Sequence, residues 1–295
     1  MSATTAAILP PPAQRITAGY WSGVRRRIGR DKVTLVCAGI LLLMLLAMIA
    51  APWISPHPPF QGSMIRRLKP IGFPGYPLGT DELGRDILTR LIYGGRLSWF
   101  LGITPVAIAF AIGGTLGVIA GFAGGWLNTL IMRVTDVFYA FPSVLLAVAI
   151  SGALGPGIFN AILALTLVFI PPIIRVAETV TTSVRNLDYV ESARASGAGA
   201  ATIVRVHVLP NVLGPIFVYA TGLISVAMIL ASGLSFLGLG TRPPEPEWGL
   251  MLNTLRTAIY TQPVVAMLPG ACIFVTSICF NLVSDGLRGA MDVRA

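Results

Sequence analysis

Six long apolar runs set the strongest limit on what this chain can fold into, because a helix needs about 20 apolar residues to cross a bilayer. The runs are residues 33–54, 97–119, 127–150, 158–174, 212–237 and 264–283. Charged residues make up only 11% of the chain, against about 25% in soluble domains. We therefore predict an all-α, polytopic membrane protein with six transmembrane helices.

The N-terminal segment, residues 1–32, is polar and ends in a basic cluster just before the first run. The cluster consists of Arg25, Arg26, Arg27, Arg30 and Lys32. Because basic residues flank membrane spans on the cytoplasmic side, we expect the N-terminus in the cytoplasm. The same rule attributes the net charge of +9 to membrane flanks, and no nucleic-acid partner is expected. A signal peptide is disfavoured, since the run 33–54 is long enough to span and no A-x-A-like cleavage site is evident after it.

The sequence predicts no catalytic, cofactor or metal site. It contains no G-x-x-x-x-G-K-[ST] phosphate loop, and its only lysines are Lys32 and Lys69, so no ATPase site of its own is expected. His57 and His207 are far apart, and all three cysteines lie inside apolar runs as core residues. Two alternative classes are an ion-coupled secondary transporter and an intramembrane enzyme. Both are disfavoured, because the midpoints of the runs are nearly free of acids and bases.

Residues 55–96 are expected outside the membrane as an irregular loop that contains several prolines. Near its end, Thr80 or Asp81 can cap a short amphipathic helix that lies at the membrane surface. The apolar face of this helix would consist of Ile87, Leu88, Leu91 and Ile92. The polar face would consist of Arg85, Asp86 and Arg90.

Glycines recur every four residues in and after the second run, at Gly113, Gly117, Gly121 and Gly125. Small residues at this spacing line one face of a helix and allow another helix to approach closely. We interpret them as helix-packing residues.

Three further features modify the third and fourth spans. Arg133 and Asp136 lie three residues apart and can form a structural ion pair near the membrane interface. Pro142 is expected to kink the third span. The pair 171–172, both prolines, is expected to break the fourth span before a polar helical segment, residues 178–187.

The stretch 188–211 is a charged interruption between the fourth and fifth runs. Asp188 can cap a helix that begins one residue later, with Glu191 three residues on as in a capping box. Gly197 ends that helix, and a second helical stretch follows it and ends at Pro210. Basic residues in and before the stretch place it on the cytoplasmic side. They are Arg175, Arg185, Arg194 and Arg205.

After the fifth run, a proline-rich loop places Glu245, Glu247 and Trp248 outside the membrane. Two interpretations of this loop stay open. Its side chains contact an external binding protein, or Trp248 anchors the chain at the membrane interface.

Four separated motifs resemble the dipeptide/oligopeptide/nickel branch of importer-type ABC transporter permeases. The pattern Glu191-Ser192-Ala193, Gly197 and 208–210 (VLP) resembles the "EAA" loop, with serine replacing the middle alanine. The runs PLGTDELGRDILTRLIYGGRLS and LSFLGLGTRPPEPEWGLMLN resemble segments of that branch, and 285–288 (DGLR) resembles its closing motif. The resemblance extends from about residue 30 to the C-terminus.

The resemblance implies the second-type permease subunit, with the six-helix type I ABC importer fold in a bacterial inner membrane and both termini in the cytoplasm. Such a chain forms a heterodimer with a second homologous permease, contacts membrane lipid, and binds two ATP-binding subunits and an extracytoplasmic substrate-binding protein. The substrates of relatives include dipeptides, longer peptides, glutathione-like peptides and nickel complexes, and we favour short peptides. The expected parts are a leader 1–32, a first span 33–54, an external loop 55–96 and a core 97–295.

Within the core, the resemblance assigns coupling to the ATPase to the cytoplasmic loop 176–211. The coupling residues it implies are Tyr189, Glu191, Ser192, Ala193, Arg194, Ala195, Gly197, Ala198, Arg205, Leu209 and Pro210.

Overall fold

The computed structural model describes residues 20–291, and this part of the chain folds into α-helices without a β-strand. Residues 1–19 of the predicted leader lie outside the described residues. The helices are α1 Tyr20–Ile28, α2 Lys32–Ile49, α3 Ala51–Ile54, α4 Ile87–Ala123, α5 Gly125–Tyr139, α6 Ser143–Leu154, α7 Ile158–Arg185, α8 Asp188–Ala195, α9 Ala200–Ile203, α10 Leu209–Phe236, α11 Trp248–Thr254 and α12 Pro263–Met291. The predicted all-α class is confirmed.

Five helical segments within residues 20–291 are long and apolar enough to cross a membrane: α2, α4, α7, the segment Ala200–Phe236 and α12. A sixth span arises when α5 and α6, which meet at 85°, are counted together. The bend lies at residues 140–142 and Pro142 directly precedes α6, so the predicted kink is a full break between two helices.

The glycine face of α4 packs against α7. A Cβ atom added at Gly113, Gly117 or Gly121 would lie 2.9, 2.5 and 2.7 Å from a carbonyl oxygen of α7. These distances are too short for a side chain, so the two helices approach backbone to backbone at all three positions. Gly125 is not part of this face, because it begins α5 in the left-handed region, with φ +54°.

The expected break at 171–172 is wrong, since α7 continues through both prolines to Arg185. Each proline removes one backbone hydrogen bond. Membrane helices tolerate this loss where neighbouring helices hold them in place, and α7 packs against both α4 and α10. Pro171 itself is buried in this packing.

The expected surface helix before the second span is also wrong, because its residues form the start of α4. The helix has 37 residues and is about 55 Å long at 1.5 Å per residue, whereas the hydrocarbon core is about 30 Å thick. Its excess length therefore projects beyond the bilayer as part of the same continuous helix. Asp86, rather than Thr80 or Asp81, caps it by accepting a hydrogen bond from Thr89 N–H at 2.9 Å.

The predicted polar face of that helix is buried under the external loop. Arg90 donates to the carbonyl oxygens of Pro59 (3.0 Å) and Pro244 (3.3 Å) and lies 3.3 Å from the carboxylate of Asp81. Arg85 donates to the same carboxylate at 2.6 Å. Arg90 therefore joins the loop before α4 to the loop after α10, and the two loops form one external unit.

The expected Arg133–Asp136 pair is replaced by a contact between helices. Asp136 of α5 accepts a hydrogen bond from Arg175 of α7 at 2.6 Å, and both side chains are 47% exposed. The three-residue spacing placed Arg133 within reach, but the neighbouring helix supplies the partner.

The first span packs against the last. A Cβ atom at Gly286 of α12 would lie 1.8 Å from Thr34 Oγ1 of α2, so only glycine permits this approach. Gly286 belongs to the closing DGLR motif. Cys37 and Cys279 are buried in the same α2–α12 region, in agreement with their interpretation as core residues.

Candidate functional site

The candidate coupling loop is a small helical hairpin between two membrane helices. α7 ends at Arg185, α8 begins at Asp188, and a short turn leads into α9 at Ala200. Both ends of the hairpin are nearly continuous with spans, since two residues separate α8 from α7 and α9 passes into α10 through a π-helical turn, Val204–Val208.

The predicted capping box at the start of α8 is absent. Asp188 lies inside the first turn, Leu187 occupies the N-cap position, and no side chain caps the helix. Asp188 and Glu191 instead place two negative charges in the first turn, where they interact favourably with the helix dipole.

The helix α8 ends just before Gly197, as predicted from the sequence. Gly197 adopts φ +85° and its N–H donates to the Arg194 carbonyl at 3.0 Å, while Ala198 N–H donates to the Ala193 carbonyl at 3.1 Å. These two bonds form a Schellman motif, which requires a left-handed residue at the position of Gly197.

Three apolar residues hold the hairpin on the bundle, and of these only Val208 was singled out in the sequence, as part of the VLP pattern. Val190, Ile203 and Val208 are fully or almost fully buried and join the core formed by α4, α7 and α10. The sequence signals this only for Val190, which is a branched apolar residue among mostly polar neighbours and is the only buried residue of α8. Burying one such side chain contributes about 1.5–3 kcal/mol, so the hairpin is fixed to the bundle.

The opposite face of α8 is open. The predicted coupling residues that are exposed are Tyr189, Glu191, Ser192, Arg194, Ala195, Gly197, Arg205 and Pro210, while Ala193, Ala198 and Leu209 are half-buried. A shallow depression in this face is lined by Asp188, Glu191, Ser192, Arg194 and Ala195. A Cβ atom at Gly197 would meet nothing within 4 Å, so space is available there for another surface.

The expected end of the second helical stretch at Pro210 is wrong, because the helix runs on to Phe236. The π turn explains this. Leu209 N–H donates to the Val204 carbonyl, five residues back, and the wider turn relieves the clash that a proline ring makes with the carbonyl four residues before it.

A polar link joins the first helix of the hairpin to this turn. Asn211 Nδ2 donates to the His207 carbonyl at 2.7 Å and to Tyr189 Oη at 3.2 Å. The rings of Tyr189 and His207 lie 6.1 Å apart. The start of α8 and the start of α10 are therefore held together by side chains.

On the external side, Glu247 and Trp248 do not face outward. Each is 1% exposed, and Trp248 Nε1 donates to the Leu91 carbonyl of α4 at 2.9 Å. The expectation that these two side chains contact a binding protein is therefore wrong. The alternative expectation, that Trp248 anchors the chain at the membrane interface, is also wrong. Glu245 is exposed.

Glu247 instead caps α11 from inside the protein. Its Oε1 accepts from Gly249 N–H (2.8 Å) and Ser98 Oγ (3.1 Å), and its Oε2 accepts from Leu250 N–H (2.8 Å). Burial raises the pKa of this carboxyl above its ordinary value, although the hydrogen bonds oppose the shift. The prolines around Glu247 suggested an open surface loop, but in the structure this loop holds Glu247 in a buried position as the N-cap of α11.

Two family profiles match the sequence. The family described as "Binding-protein-dependent transport system inner membrane component" matches residues 113–295. The family described as "N-terminal TM domain of oligopeptide transport permease C" matches residues 19–70. The second match begins before residue 30, so the resemblance covers more of the N-terminal segment than the sequence motifs indicated.

Characterised relatives are similar over most of the chain. It is 39% identical to the glutathione transport system permease protein GsiD of Pectobacterium atrosepticum, over 98% of this chain and 96% of the relative. It is 42% identical to the di/tripeptide transport system permease protein DppC of Pseudomonas aeruginosa, over 87% of each chain. It is 38% identical to the dipeptide transport system permease protein DppC of Alkalihalophilus pseudofirmus, over 97% and 94%.

Among solved structures, a chain of the MetNI methionine ABC transporter in inward-facing conformations superposes with a TM-score of 0.56. The match covers 69% of this chain and 97% of that chain, at 18% identity. It confirms the predicted type I importer permease fold.

Proposed function

Because this chain belongs to the family of binding-protein-dependent transport system inner membrane components, we propose that it is one of two membrane-spanning subunits of an ATP-driven importer of short peptides. It is a multi-pass membrane protein and a membrane component of ABC peptide importers. The observation that carries the proposal is the exposed face of α8 on a hairpin fixed to two spans.

We assign ATPase coupling to this face because its mechanical connections suit that role. The helix from Ala200 to Phe236 has 37 residues, so a displacement of the hairpin moves a membrane span directly. Val190 ties the other arm to the core that includes α7. A partner that pulls on α8 would therefore move α7 and α10 together, as in rigid-body switching at an interface.

The π turn Val204–Val208 is the segment through which the hairpin connects to α10. Its backbone bonds are spaced more widely than those of an α-helix, and such turns are frequent at functional sites. Arg205 is exposed in this turn. We propose that repacking of this turn accompanies the change between inward-facing and outward-facing states.

The partners follow from the family. A family of this kind implies ATP-binding subunits and a binding protein, and we propose two ATP-binding subunits, a second homologous permease and an extracytoplasmic substrate-binding protein. The chain lacks a phosphate loop of its own, which supports an ATPase on separate subunits. On the external side, the exposed Glu245 remains the candidate contact for the binding protein.

We propose that both termini are cytoplasmic. An even number of spans returns the chain to its starting side, and the count is six when α5 and α6 form one broken span. The basic residues before α2 favour the cytoplasm for the N-terminus. The hairpin between α7 and α10 then lies on the cytoplasmic side, where ATP-binding subunits are located.

Short peptides are the proposed substrate. The three relatives described above carry glutathione, di/tripeptides or dipeptides in their names, which favours peptides over nickel complexes. We propose that selectivity among peptides lies mainly with the substrate-binding protein.

The test is Ala195→Trp, which adds a large side chain to the exposed face of α8 without touching its buried anchors. The complex is purified through a tag on this chain, and the amount of ATP-binding subunit and the uptake of labelled dipeptide into proteoliposomes are measured. We expect at least a tenfold loss of both, because a docking groove that fits alanine has no room for an indole.

Gln61→Trp is the matched control, since Gln61 is exposed on the external loop. This variant should retain both its ATP-binding subunits and its uptake. Normal assembly and uptake by Ala195→Trp would remove the coupling role from α8. Absence of any ATP-binding subunit from the wild-type complex would refute the function itself.

A further inference from the structure

A basic surface lies beside the point where the first span enters the bilayer. It consists of Arg25, Arg26, Arg30 and Lys32, all of which are exposed. α2 begins at Lys32, and its first apolar residues Val33 and Val36 are more than half exposed. An exposed apolar face on a membrane span contacts lipid, so the headgroup region begins close to Lys32.

α1 is held against the bundle, which fixes the direction of this surface. Val24 is 7% exposed, and α1 packs against α12. Arg27 Nη1 donates to the Ala290 carbonyl of α12 at 3.2 Å, so Arg27 serves attachment. The other arginines of the segment remain on the exposed side.

Within the part of the chain that the structure describes, negative charge near this surface is small. Asp31 is the only acidic residue before Asp81 in the sequence, and its carboxylate accepts hydrogen bonds from the N–H groups of Val33 (3.1 Å) and Thr34 (3.4 Å) as the cap of α2. On α12, Asp285 and Arg288 offset each other in formal charge. Among residues 20–291, Asp31 is the acidic residue next to these four cations in the sequence, and its carboxylate is engaged as the cap of α2.

We propose that Arg25, Arg26, Arg30 and Lys32 form a binding surface for the headgroups of anionic phospholipids. Arg25 and Arg26 lie in the last turn of α1, Arg30 lies in the turn that follows, and Lys32 is the first residue of α2, so all four are at most seven residues from the start of the span. All four cations thus lie within electrostatic reach of the headgroups. Clusters of this size next to a membrane span attract anionic lipid, by about fivefold in affinity for each basic residue.

The experiment uses the full chain in nanodiscs of equal parts POPC and POPG, and native mass spectrometry counts the lipids that stay bound. Wild type should retain POPG over POPC. Replacing the three arginines by glutamine (R25Q/R26Q/R30Q) should lower the POPG:POPC ratio at least fivefold, whereas the lysine triple (R25K/R26K/R30K) should keep it, because lysine preserves the charge.

A charge-matched control removes three cations from the external loop, in R66Q/R67Q/K69Q, and should leave the ratio unchanged. An unchanged ratio in the glutamine triple, or an equal fall in the control, would overturn the proposal. If the glutamine triple does not insert into the membrane, the salt dependence of wild type provides a second test. Its preference for POPG should weaken as NaCl rises from about 0.05 to 0.5 M, because salt screens the charges. A preference that does not depend on salt would refute the proposal. Equal retention of POPG and POPC by wild type would refute the proposal as well.

Discussion

Replacing Glu247 by alanine should strongly destabilise the external side of the protein, although this residue lies in a loop that the sequence places on the surface. The carboxylate accepts three hydrogen bonds, from Gly249 N–H, Leu250 N–H and Ser98 Oγ. The side chain is 1% exposed, so water cannot replace these acceptors without opening the α4–α11 contact.

The magnitude follows from the groups that lose a partner. A buried donor left unsatisfied costs about 1–3 kcal/mol, and three donors are affected. Burying the carboxylate is itself unfavourable, so removing it offsets part of the free energy lost with the hydrogen bonds. We therefore use the lower end of the range of about 1–3 kcal/mol for each donor. We expect Glu247→Ala to lower the free energy of unfolding by about 3–4 kcal/mol, which corresponds to roughly 10 °C in Tm.

The assay is thermal unfolding of the purified chain in detergent, with Glu245→Ala as the matched control. Glu245 lies two residues away in the same loop and is exposed, so its removal should change the free energy of unfolding by less than about 0.5 kcal/mol. A Tm for Glu247→Ala within about 2 °C of the control would refute the buried cap.

Three further predictions use the same measurement. Gly117→Ala should lower the free energy of unfolding by about 1–3 kcal/mol, because its Cβ would lie 2.5 Å from the Ile174 carbonyl oxygen. Gly114→Ala is the control and should be neutral or stabilising, since the nearest atom to its Cβ would be 4.0 Å away. Equal effects of the two substitutions would contradict the α4–α7 contact. Trp248→Phe should cost about 1–2 kcal/mol, since the Leu91 carbonyl loses its donor, and an unchanged Tm would count against it. Burial raises the pKa of Glu247 above its ordinary value of 4.5, so the native state retains a proton that the unfolded state loses. Wild type should therefore lose stability relative to Glu247→Gln as the pH rises above 4.5. A stability difference between the two proteins that is constant or changes in the other direction would contradict the raised pKa.

The class and the number of spans were predictable from the sequence because apolar run length alone decides them. Gly197 was predictable for a similar reason, since a left-handed helix end strongly favours glycine. The glycines of α4 also lie where their spacing predicts, against a neighbouring helix. Each of these features depends on local chemistry or on a simple period.

The errors share a physical cause, which is tertiary packing. Local rules end a helix at Pro171 and Pro210, but α4 supports α7 and a π turn accommodates Pro210. The same rules expose Glu247 in a proline-rich loop, but Ser98 of α4, far away in sequence, provides its partner. Asp136 likewise pairs with Arg175 of another helix rather than with Arg133, three residues before it. A single sequence does not show which helices pack against each other, so these contacts could not be predicted from it.

Purification of this chain from its native membrane through an affinity tag, with the stoichiometry of the complex measured by native mass spectrometry, shows directly whether it is a subunit of an ATP-driven importer. We expect one copy of this chain, one homologous permease and two ATP-binding subunits, and dipeptide uptake that requires ATP. A chain that purifies alone and transports a peptide along an ion gradient without ATP would contradict it.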